Sequence, residues 1–133
     1  LVTLFYAELD PDGRLLFVNA GHNPPRLARA DGTLETLSAG GLALGILPDG
    51  VYGATAGRLA MGDRLLLYTD GITEAANPQD EEFGEARLDA FLAAHRSEPP
   101  QAFLDGLTSE VLAFCGPVRP GDDMTLVVVD RTA

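Results

Sequence analysis

A chain of 133 residues is long enough for one ordinary domain, and 46% hydrophobic with 22% charged residues reads as soluble and globular rather than disordered. A net charge of −11 disfavours nucleic acid and anionic lipid as partners, since both require a basic surface. The single cysteine, Cys115, excludes an intrachain disulfide and a cysteine-built zinc site, and the apolar runs are all too short to cross a membrane.

Residues 3–9, TLFYAEL, read as a strand; DPDG at 10–13 is a turn; RLLFVN at 14–19 completes a hairpin. AGHNPP at 20–25 breaks the pattern. A second hairpin is expected across 26–30 and 33–37. Residues 39–50 are rich in glycine and read as a surface loop, followed by a weak strand over 51–60. RLLLYT at 64–69 is a strong strand, and its unbroken apolar run calls for cover on both faces.

Beyond Glu85 the period becomes helical. Leu88, Phe91 and Leu92 share one face; from Pro99 onward Phe103, Leu104, Leu107, Val111, Leu112 and Phe114 share another. Cys115, near the end of the second helix, reads as a semi-buried apolar residue. Residues 116–123 form a loop, and MTLVVVD at 124–130 is a closing strand, apolar enough to be expected in the middle of a sheet. The sum is an α+β fold of antiparallel hairpins with helices on one face. Every basic residue is Arg, which reads as a coding bias. The chain opens on Leu1 without a basic leader, so a segment of a longer cytoplasmic protein is expected.

Two acidic turns carry the functional question. Asp70-Gly71 follows one core strand, and Asp122-Asp123 precedes another. If those strands are antiparallel neighbours, the three carboxylates gather at one edge. Crowded carboxylates raise one another's pKa unless a cation joins them, and oxygen-rich clusters select Mg²⁺ or Mn²⁺ over zinc. Gly71 lets the backbone turn sharply and a ligand approach. Asp-Gly is also a common turn dipeptide, and it recurs here at 12–13, 31–32 and 49–50. Spacing alone therefore leaves both a metal site and a plain turn open.

The wording of the motifs is more specific. TLFYAELDPDGRLLFVNAGHNPPRL (3–27), GGLALGI (40–46), GDRLLLYTDGITEAANPQDEEFGEARL (62–88) and GDDMTLVVV (121–129) span nearly the whole chain. Together they resemble the SpoIIE/RsbU-type branch of the metal-dependent PPM serine/threonine protein phosphatases. The resemblance implies a two-sheet antiparallel β-sandwich flanked by helices, with two Mn²⁺ or Mg²⁺ ions between the sheets. It implies Asp70 and Asp122 as metal ligands and catalytic residues, Gly71 as part of the metal site, and Asp123 as a residue behind the ligands. It implies hydrolysis of phosphoserine or phosphothreonine by water activated at the metals. The usual substrate is a phosphorylated STAS-domain anti-sigma-factor antagonist, in cytoplasmic partner switching, and a sensor domain commonly precedes the phosphatase.

One departure matters. The family's first acidic motif, Asp-x-x-Gly-His-Gly, whose Asp bridges both metals, is absent from residues 1–133. The chain is therefore expected to be the C-terminal part of a phosphatase domain, truncated at its N-terminus, holding one ion or none, and inactive alone. Surface left open by the missing part is expected to favour a homodimer. His22 and Asn23 are candidates for the border of a substrate groove, though the loop also reads as a structural turn built by Asn19 and Asn23. Glu74 is expected in the first helical turn after the site, where a carboxylate suits the helix dipole. The acidic run at 74–85 reads as a solvated, mobile flap, and His95 as structural. The competing reading is a non-catalytic pseudophosphatase that only binds a partner.

Overall fold

A computed structural model describes residues 1–132. Its first strands, β1 (Leu4–Leu9) and β2 (Arg14–Ala20), form the expected hairpin, with Leu4 opposite Ala20 and Leu9 opposite Leu15. Gly13, at φ +84°, occupies the left-handed position that closes the turn, and the Asp10 carboxylate accepts the Asp12 and Arg14 amides at 3.0 Å each. The second hairpin pairs β3 (Arg26–Ala28) with β4 (Leu34–Thr36). Strand β5 (Thr55–Arg58) is shorter than its sequence window and adds to the far side of β2. Strands β6 (Arg64–Tyr68) and β7 (Leu126–Asp130) complete a second antiparallel sheet of order β4-β3-β6-β7.

The three helices are α1 (Asp70–Thr73), α2 (Gly84–His95) and α3 (Pro100–Cys115). They cover one face of the second sheet. Leu66 and Tyr68 of β6 point into a cluster with Leu88, Phe91 and Leu92 of α2 and Phe103, Leu107, Val111 and Cys115 of α3. The intervening residues Leu65 and Leu67 join Leu27, Leu59 and Val129 on the opposite face. A period of two along β6 thus supplies both layers, which is why its sequence is apolar throughout. The result is the expected two-sheet antiparallel architecture flanked by helices.

Two sequence expectations are corrected. Strand β7 lies at the edge of its sheet, paired only with β6 among the described residues. Its valines serve faces rather than a central position: Val128 packs on the helical cluster, Val129 on the other, and Val127 stays 46% exposed. In α3 the buried stripe is Phe103, Leu107, Val111 and Cys115, four residues apart, so Leu112 points outward and Cys115 is wholly buried. The acidic run is exposed over 78–82, as expected of a solvated segment, and it is built as a hydrogen-bonded turn. The Asn77 side chain accepts the Gln79 and Glu81 amides, Ala76 bridges to Glu82, and Phe83 is buried.

Arginine has a structural role that composition concealed. Arg64, 4% exposed, grips both carboxylate oxygens of Asp130 at 2.7 Å and donates to the carbonyls of His95 and Glu98. Arg26 holds Asp89 and Glu85 of α2 against β3. Arg29 joins Glu35 to buried Asp63, whose carboxylate also accepts the Ala30 and Ala60 amides. Burial pushes the Asp63 carboxyl up, but the Arg29 hydrogen bond and the two amides outweigh it and hold it below the usual carboxylate range.

The folded value of Asp63 lies below the unfolded one, so its stabilisation is complete above about pH 4 and is lost as pH falls through the folded value. Asp63→Asn is expected to cost about 1–3 kcal/mol at pH 7. In urea unfolding the gap between variant and wild type should narrow at pH 3. A gap independent of pH would refute the assignment.

Candidate metal centre

The register of β6 and β7 builds the site. Tyr68 stands opposite Leu126, so the next residues, Thr69 and Thr125, meet where both strands end. Thr69 donates its amide to the Thr125 carbonyl at 3.2 Å, and the Thr125 amide donates to the Thr69 hydroxyl at 3.1 Å. Asp70 then opens α1, and Asp122 and Asp123 end the loop that leads into β7.

The two turns touch through backbone. A Cβ at Gly71 would collide with the Asp123 carbonyl and stand 3.3 Å from the Asp122 carbonyl oxygen. The space that glycine leaves is thus taken by the chain's own 122–123 segment. Asp122 turns one carboxylate oxygen inward to accept the Asp123 amide at 2.8 Å. Asp70, Asp122 and Asp123 are all exposed, and none is in an ion pair among the described residues. Asp63, Asp89 and Asp130, by contrast, are all held by arginine.

Hard, anionic oxygen donors left without a cationic side chain are the donor type that Mn²⁺ and Mg²⁺ take. Asp70 and Asp122 are donors of that chemical type, one after β6 and one before β7. Among the described residues no group of three His, Cys, Asp or Glu side chains is arranged to hold a metal.

The AGHNPP loop is a built turn. Asn19 accepts the His22 amide at 2.8 Å and donates to the His22 carbonyl at 3.0 Å, and His22 Nδ1 lies 3.0 Å from the Asn23 carbonyl. The ordering side chain is Asn19; Asn23 contributes its carbonyl. His22 also borders a hollow of about 260 Å³ between β1 and β7, shared with Phe5, Leu67, Thr69 and Thr125. Glu74 is the residue that ends α1, with its amide on the Asp70 carbonyl, so the helix-dipole argument for it fails. His95 stacks on Phe91 at 4.1 Å and contacts Glu98, a structural place. Sequence reasoning missed Thr69, although a threonine directly before Asp-Gly is a common helix-start signal.

Gly71→Ala must move the 122–123 segment away from α1. It should shift the amide resonances of Asp122, Asp123 and Thr125 far more than those of α3, and should destabilise the fold. Unchanged loop resonances would refute the contact.

Comparison with known proteins follows the same line. The chain is 32% identical over 130 residues to Protein IcfG of Synechocystis, and 29% identical over 132 residues to the phosphoserine phosphatase RsbU of Bacillus subtilis. These matches cover 97% and 98% of the chain but only 20% and 39% of those proteins. The RsbU and RsbW domains of Rv1364c from Mycobacterium tuberculosis superpose with a TM-score of 0.82 at 27% identity, covering 98% of this chain and 36% of that one. The phosphatase domain of SpoIIE from Bacillus subtilis, presoaked with Mn, shares the fold at a TM-score of 0.76 and 24% identity, with 98% of this chain and 56% of that one covered. The family model for stage II sporulation protein E matches residues 1–132, and the chain belongs to the SpoIIE family.

Proposed function

We propose that this chain is part of a metal-dependent phosphoserine/phosphothreonine protein phosphatase that acts in bacterial partner-switching control of sigma factors. The observation that carries the reading is the meeting of two acidic turns at the shared end of β6 and β7, with carboxylates free of arginine. The kinship with RsbU, itself a phosphoserine phosphatase, supports the reaction class. Asp70 and Asp122 supply oxygen ligands from the turn after β6 and the loop before β7, and Asp123 backs Asp122 through its amide. Manganese or magnesium bound there supplies Lewis acidity toward water and the phosphoryl oxygens. His22 and Asn23 line the approach for the phosphorylated residue, carried by a STAS-domain anti-sigma-factor antagonist.

In this reading the remaining ligands, including the bridging Asp, come from sequence outside residues 1–133. Two ions bind the complete domain, and one or none binds this segment. A non-catalytic partner-binding module is the second reading, favoured by the lack of a three-carboxylate group among the described residues. The two separate cleanly in the full-length protein. Asp70→Asn and Asp122→Asn should each lower manganese-dependent hydrolysis of a phosphoserine peptide by at least about 100-fold, beyond the cost of losing a residue behind the ligands. Residues 1–133 alone should show no rate. Full activity in either variant would overturn the assignment, and no activity in the intact wild type would favour the binding module.

A further inference from the structure

Thr69 occupies the residue before α1 with φ −105° and ψ 166°, the conformation from which a threonine normally caps its own helix. Its side chain makes no cap hydrogen bond. The hydroxyl reaches across to the other acidic turn instead. It accepts the Thr125 amide at 3.1 Å and donates to the Asp123 carbonyl at 3.4 Å.

The local reason is the direction of a carbonyl. In an antiparallel pair that exchanges both bonds, the Thr125 amide would go to the Thr69 carbonyl. That carbonyl instead accepts the Ile72 amide at 3.0 Å, because the chain turns into α1. The hydroxyl replaces the lost carbonyl and extends the β6–β7 ladder by one more residue. A hydroxyl has one donor and two acceptor positions, so a single side chain can serve both Thr125 and Asp123. The Asp123 contact falls on the carbonyl that presses on Gly71, and the Thr125 contact lies two residues further along the same strand entry.

We propose that the Thr69 hydroxyl is a positioning group that fixes the 122–123 turn against Asp70-Gly71, and so sets how well Asp122 shares a divalent cation with Asp70. The inference rests on the metal-dependent reading and names the residue that regulates the geometry of its site. Thr69 touches no substrate in this role; it acts through the backbone of Asp123 and Thr125.

Thr69→Val keeps shape and removes the hydroxyl, whereas Thr69→Ser keeps the hydroxyl. Two readouts, both taken in the full-length protein, separate position from stability: hydrogen exchange of the Thr125 amide, and Mn²⁺ titration followed by paramagnetic broadening of the Asp70 and Asp122 amide signals. Thr69→Val should speed Thr125 exchange and weaken Mn²⁺ binding about tenfold, the scale seen when a group behind a metal ligand is lost. Thr69→Ser should stay within about twofold of wild type in both. Unchanged Thr125 exchange in Thr69→Val would overturn the clamp. Faster exchange with unchanged Mn²⁺ binding, or a Thr69→Ser that behaves like Thr69→Val, would overturn the positioning role. Wild-type signals that Mn²⁺ fails to broaden would overturn the metal reading beneath it, and the exchange arm alone would then decide the clamp.

Discussion

The guanidinium of Arg64 is where sheet and helices are made to agree. It begins β6, grips Asp130 at the end of β7, and reaches the His95 and Glu98 carbonyls between α2 and α3. It also lies 5.0 Å over the Phe103 ring of α3. Removing such a buried cation leaves Asp130 uncompensated, which commonly costs about 3–5 kcal/mol. The planar fork suits this place because it satisfies a carboxylate and two carbonyls at once. With Arg64 opposite Asp130, the pairing runs without a slip to Tyr68 opposite Leu126, and the acidic turns meet at the far end. A shift of one residue would turn every β6 side chain to the wrong layer.

Two groups of aspartates stand in contrast. Asp63, Asp89 and Asp130 are partly or wholly buried and each is matched to an arginine, as burial of charge demands. Asp70, Asp122 and Asp123 are exposed, and water supplies their solvation. An arginine beside them would compete with any cation for the same oxygens. The division of labour explains how a chain of net charge −11 can spend Arg26, Arg29 and Arg64 on architecture while leaving one sheet end anionic.

Much of this was legible from residue order. Alternation along β2 and the turns DPDG and ADGT marked the hairpins, and spacings of three and four marked α2 and α3, because each helix buries one face. The meeting of Asp70 with Asp122 was legible as a condition on strand pairing, which local pattern cannot decide. The place of β7 was not legible: a valine run serves an edge strand packed on both faces as well as a central one. The arginine network was hidden because its partners are distant in sequence, with Arg64 and Asp130 lying 66 residues apart in the chain and Arg26 reaching into α2. The role of Thr69 was hidden for a similar reason, since its partners lie beyond α2 and α3.

The β6–β7 ladder closes a loop that contains all three helices. Such a non-local pairing carries a loop-closure entropy that local helices do not, and it tends to complete after them. The carboxylates of Asp70 and Asp122 therefore come to one sheet end only through the pairing of β6 with β7, and not through any contact local in sequence.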